Sequence, residues 1–153
     1  EHGISSYGEL ESKLTAISAR RDTAHAEIKR IESRSAELAL VMKRAGTYRQ
    51  LKPLYDRYRK SNDKEKFLRG HESEIILFEA AARELKRLGA VPLPTTESMK
   101  TELANLNAEK ERLLAEYKAA RAEAQEYETV KQNVDALLTV AKEQEQQRRH
   151  ELE

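Results

Sequence analysis

The feature that most constrains this chain is a spacing. Apolar residues fall at Leu10, Leu14, Ile17, Ala24, Ile28, Ile31, Leu38, Met42 and Ala45. With Arg21 and Ser35 filling the gaps, the steps alternate four and three. That puts one apolar stripe along an α-helix and repeats it every seven residues. The same spacing returns at Met99, Leu103, Leu106, Lys110, Leu113, Tyr117, Ala120, Ala124, Tyr127, Lys131, Val134, Leu138 and Ala141, where only Lys110 and Lys131 carry charge. Two stripes of this length need partner helices to bury them. The simplest solution is all-α: a long, coiled-coil-like antiparallel helical hairpin, with a smaller helical cap between the two long helices. A parallel homodimer through either stripe is the alternative. Ala120 and Ala124 leave room there for a bulky partner.

Composition agrees with helices. Charged residues make up 36% and hydrophobic residues 39%, with 5 Gly, 3 Pro and no Trp. A sheet would need more β-branched, aromatic and turn residues. No Cys is present, which excludes disulfides and thiolate chemistry and suits a cytoplasmic setting. The longest purely apolar run, 38–42, is far short of a membrane span. The module is expected to be a single helical unit over 1–153, excised from a larger protein.

Local signals set the expected boundaries. Ser6-Tyr7-Gly8-Glu9 has the form of a capping box and opens a long helix over 6–45. At Gly46 the stripe shifts to Tyr48, Leu51, Tyr55 and Tyr58, and Pro53 lies inside it. Proline removes a helical hydrogen bond, so a kink or break is expected between Gly46 and Pro53. Ser61-Asn62-Asp63 reads as a loop ending in an N-cap. A further helix follows over 64–88, with Gly70 a candidate break and Gly89 a C′ residue. Val91-Pro92-Leu93-Pro94 is an extended connector, completing a basic cap and connector over 46–95. Thr96 is the expected cap of the last helix, 96–145, and the polar end 143–153 is expected to fray.

The net charge of +1 hides a strong local excess. Residues 43–70 hold ten basic side chains: Lys43, Arg44, Arg49, Lys52, Arg57, Arg59, Lys60, Lys64, Lys66 and Arg69. Against them stand three acids, Asp56, Asp63 and Glu65, for a net +7. The segments on either side are near neutral or acidic. Tyr48, Tyr55 and Tyr58 interleave with these cations. Basic side chains track phosphates and aromatic faces stack on bases, the combination used for single-stranded nucleic acid. The competing reading packs the tyrosines into a core and leaves the cations as a solvated face or an acidic-protein dock.

Other chemistry finds little support. The histidines, His2, His25, His71 and His150, are scattered, and His71 with Glu74 makes only a two-ligand pair. There is no phosphate-binding GK[ST] loop, no GxGxxG and no GxSxG elbow. No cofactor, metal or catalytic residue is expected from these residues.

Several runs also carry a resemblance. Glu1-His2-Gly3-Ile4 with Tyr7-Gly8-Glu9-Leu10, then His71-Glu72-Ser73-Glu74-Ile75-Ile76-Leu77 with Glu79-Ala80-Ala81, resemble a region downstream of the nuclease domain in relaxases. So do Leu93-Pro94, Glu116-Tyr117-Lys118 with Ala120-Arg121, and Thr129-Val130-Lys131-Gln132-Asn133-Val134-Asp135. These relaxases are the mobilization nucleases of plasmids and integrative conjugative elements, especially of Gram-positive gut bacteria. The resemblance implies a parent enzyme that nicks one DNA strand with a tyrosine nucleophile and a histidine-held metal, both in an N-terminal nuclease domain. This chain lacks the histidine cluster, so Tyr48, Tyr55, Tyr58, Tyr117 and Tyr127 take no nucleophilic role. The implied task is accessory: contact with origin-of-transfer DNA, single- or double-stranded, dimerisation, or docking to protein partners of the transfer machinery.

Overall fold

A computed structural model describes residues 6–153. Among them the chain forms three helices and no strand: α1 (Tyr7–Lys60), α2 (Lys64–Arg87) and α3 (Thr96–Leu152). The opening motif Glu1-His2-Gly3-Ile4 lies outside the described residues. No helix among the described residues is long and apolar enough to cross a membrane.

The helix ends follow from local chemistry. The Ser6 hydroxyl accepts the Glu9 N–H at 3.2 Å, which satisfies one orphan donor of α1. The Asp63 carboxylate does the same for Lys66 N–H at 3.1 Å and starts α2. At the end of α2, Gly89 adopts φ +72, a backbone conformation costly for residues with a Cβ. Ala90 N–H then reaches Leu85 C=O at 2.9 Å, and Gly89 N–H reaches Lys86 C=O at 3.1 Å. That pair of bonds is a Schellman closure. The cap of α3 is Thr95 rather than Thr96: its hydroxyl accepts Ser98 N–H at 3.1 Å.

Two expectations on boundaries are corrected. α1 does not break between Gly46 and Pro53 but continues to Lys60. An interior Gly costs about 1 kcal/mol and Pro about 3 kcal/mol. Packing on both sides of them offsets this: Ala45 is buried, Leu54 is buried, and Tyr48 and Tyr55 stack on Phe78 of α2. The stripe shift begins earlier than Gly46. Val41, not Met42, is buried, so steps 35–38 and 38–41 are both three residues long. A local overwinding of the seven-residue repeat absorbs this without breaking the helix. α3 runs on to Leu152 instead of ending at 145. In α2 the irregularity falls at His71 (φ −137, ψ 23), directly after Gly70.

Packing divides the described chain across both long helices, not between them. One unit joins the described residues up to Lys29 with Lys110–Glu153; the other is Arg30–Glu109. In the first, Leu10, Leu14 and Ile17 of α1 bury against Ala120, Ala124 and Tyr127 of α3, with Val130 alongside. The small Ala120 and Ala124 accept the bulky aliphatics opposite. The Tyr7 hydroxyl bonds Asp135, which raises its pKa above the ordinary tyrosine value. Arg20 meets Glu123 at 2.7 Å, and His25 lies 5.9 Å from Tyr117. In the second unit, Ile31, Leu38, Val41, Ala45 and Leu54 of α1 are buried, as are Ile75, Phe78, Ala81 and Leu85 of α2 and Met99 and Leu106 of α3. Arg34 grips Glu102 with two bonds, 2.7 and 3.2 Å. In both units the α3 partner number falls as the α1 number rises. The second stripe was expected to stay buried through Leu138 and Ala141. It does not: Leu138 is 50% exposed, and Ala141 is exposed.

Candidate nucleic-acid interface

The ten basic residues singled out above all lie in the Arg30–Glu109 unit, on the second half of α1 and the first turns of α2. The fold sorts them into two groups. Arg49 is committed internally: its guanidinium donates to Thr96 Oγ1 at 2.8 Å and to Pro94 C=O, fastening α1 to the connector. These contacts are 47 and 45 residues apart in sequence and leave no local signal. Lys52 pairs with Asp56 at 3.1 Å, one helical turn away. Arg44 is half-buried, and its Nε lacks a hydrogen-bond partner among the described residues.

The other seven, Lys43, Arg57, Arg59, Lys60, Lys64, Lys66 and Arg69, are exposed and have no acidic partner among the described residues. Six of them crowd the corner where α1 ends and α2 begins. Arg57, Arg59 and Lys60 occupy the last turn of α1. Lys64, Lys66 and Arg69 follow within the first two turns of α2. Of the three local acids, Asp56 is held by Lys52, the Asp63 carboxylate caps a backbone N–H, and exposed Glu65 forms no ion pair with any of the six among the described residues. Lysines in the first turn of a helix also face the positive end of its dipole. Arg57, Arg59 and Lys60 instead sit at the favourable, negative end of the α1 dipole, so the uncompensated part of the cluster is on α2.

The tyrosines are half-buried and paired with other rings, and Tyr48 and Tyr55 also line an open groove. Tyr48 and Tyr55 stack on Phe78 with ring centroids 4.8 and 4.3 Å apart. Tyr58 lies between Tyr55 at 5.9 Å and Phe67 at 6.0 Å, and Phe67 meets His71 at 4.7 Å. This continuous row of rings cements α2 to the end of α1. His71 Nδ1 lies 3.7 Å from Glu74, the pairing its spacing suggested, and no group of three metal-capable side chains occurs among the described residues.

One participant was not legible in the sequence. Arg83 of α2 lines an open groove of about 410 Å³ together with Lys52 and Arg59 of α1, with Asp56 and Glu79 also on its walls. Arg83 lies outside the basic segment, and only the packing of α2 on Tyr48 and Tyr55 brings it alongside. Nearby, Glu84 is held below its ordinary pKa. Arg87 hydrogen bonds at 2.6 and 3.1 Å are the main cause, partial burial opposes them, and the Arg87 and Arg44 charges assist.

No family model matches the chain, and neither a curated protein nor a solved structure matches it.

Proposed function

We propose that this chain is a non-catalytic accessory segment of a DNA-mobilization relaxase, contacting DNA through the basic corner of α1 and α2. In this reading α1 and α3 run antiparallel and coiled-coil-like within each unit and serve to hold that corner. The observation that carries the DNA contact is the set of six exposed, unpaired cations at residues 57–69. Their concentration at one corner, with few acids beside them, is what supports this reading over a solvated face. The relaxase assignment rests on the sequence resemblance described above. The test is fluorescence anisotropy of labelled origin-like DNA against the chain and its Arg57→Glu/Arg59→Glu/Lys60→Glu variant. A drop in affinity of about 100-fold or more at low salt is expected, since reversing three phosphate contacts removes three counterion-release terms. Equal affinity of the two proteins would sink the reading.

A second reading, a coiled-coil protein-interaction or spacer module, draws on the far end of α3. There Leu137, Leu138 and Val140 are 70, 50 and 49% exposed. A docking helix or a second copy would cover them. Leu137→Gln/Leu138→Gln should then abolish self-association or partner capture. A monomer without a partner, before and after the change, argues against it.

A further inference from the structure

We infer that the ligand of the α1–α2 corner is the phosphate backbone of a nucleic-acid duplex, gripped without base stacking. The inference rests on the DNA-contact reading and narrows it. Proteins that hold single strands do so by laying bases on exposed aromatic faces while cations follow the backbone. Here every aromatic ring of residues 43–70 already has a ring partner. Tyr48 and Tyr55 are stacked on Phe78, and Tyr58 and Phe67 face each other and their neighbours in the row. None of the exposed large apolar side chains lies between residues 43 and 70; the nearest along the chain are Ile76 and Leu77. Tyr48, Tyr55, Tyr58 and Phe67 are all half-buried, so none presents a fully open ring to a base.

What the corner does offer is charge. Arg57, Arg59, Lys60, Lys64, Lys66 and Arg69 project from two helix ends joined by a three-residue turn. A surface of cations without stacking platforms gains most from the polyanion of highest charge density. A duplex carries one phosphate per about 1.7 Å of axis and releases more counterions per contact than a single strand. The corner therefore favours duplex over single strand and is indifferent to whether bases are present on the strand.

The experiment uses the full chain and three labelled probes: a short duplex, a single strand of the same total phosphate count, and an abasic form of that strand. Anisotropy is followed from about 50 to 200 mM salt, where phosphate contacts are most visible. The duplex should bind about tenfold tighter than the strand, with a log–log salt slope of up to about −5 for six contacts. The abasic strand should bind within about twofold of the ordinary one, because no base is stacked. Two results would overturn the inference while leaving DNA contact intact. One is a single strand bound as tightly as the duplex; the other is an abasic strand bound about tenfold or more weakly. Failure of all three probes to bind at low salt would instead overturn the DNA-contact reading and this inference with it.

Discussion

The two packing units are built from stretches of the same two long helices, yet they handle charge in opposite ways. Counted over the whole sequence, residues 1–29 and 110–153 hold 12 basic and 15 acidic side chains, whereas 30–109 hold 16 and 12. In the first unit the acidic excess is spread along the helices, and Arg20–Glu123 ties α1 to α3 at 2.7 Å. In the second, Arg34–Glu102 forms a similar bridge, but the surplus collects at one corner where acids are scarce or already engaged. Dispersed charge on a helical pair makes a solvated surface. Concentrated, unpaired charge makes a surface whose field attracts opposite charge.

The comparison can be broken first at the cores. Phe78 is buried and stacks with both Tyr48 and Tyr55, so Phe78→Ala should cost about 3–5 kcal/mol in urea unfolding. Leu14→Ala, in the other unit, removes a smaller side chain already at the edge of burial, at 8% exposure, and should cost about 2–3 kcal/mol. Equal or reversed costs would show that the aromatic row is not the stronger joint.

Backbone changes come next in size. Gly89→Ala places a Cβ at φ +72 and should destabilise by about 1–2 kcal/mol. Gly46→Ala should do the opposite. Gly46 is helical, exposed and open to an added Cβ, so alanine should stabilise by about 0.5–1 kcal/mol. A loss of stability at Gly46 would mean the helix needs glycine there. The smallest effect concerns pH. The lowered pKa of Glu84 stabilises the fold above the ordinary carboxylate range, and that contribution fades as pH falls through the lowered value. A carboxyl NMR titration should show Glu84 returning toward its ordinary pKa in Arg87→Ala. An unchanged midpoint would remove Arg87 as the cause.

How much of this was legible in the residues can be argued position by position. The alternating four–three spacing specified α1 and α3, and Leu10, Leu14, Ile17, Ala120, Ala124 and Tyr127 are buried as it required. Asp63 and Gly89 were readable because a cap or a left-handed residue is a local demand. Pro53 misled, because its penalty is local while the packing of Leu54 and Tyr55 that outweighs it is not. The ends of the second stripe misled for a related reason: spacing marks a face suited to burial but not where the partner helix stops, and Leu138 lies beyond it. At the corner, the cations were visible as a cluster. The tying of Arg49 required contacts distant in sequence, whereas the Lys52–Asp56 pair, one helical turn apart, is a local spacing. The tyrosines, interleaved with charge in sequence, paired with other rings because Phe78 and Phe67 offered ring faces that the linear pattern did not show.

The central claim, that concentrated rather than total charge makes the interface, is tested most directly by the salt dependence of duplex binding for three proteins. These are the unaltered chain, the Arg57→Glu/Arg59→Glu/Lys60→Glu variant, and Lys13→Glu/Lys118→Glu/Arg121→Glu in the other unit, which makes the same charge change at exposed sites. The corner variant should lose about 2.7 from the magnitude of the log–log slope, as three phosphate contacts disappear, while the other variant keeps the original slope. Equal loss in both variants would show that DNA responds only to net charge, and would contradict the account.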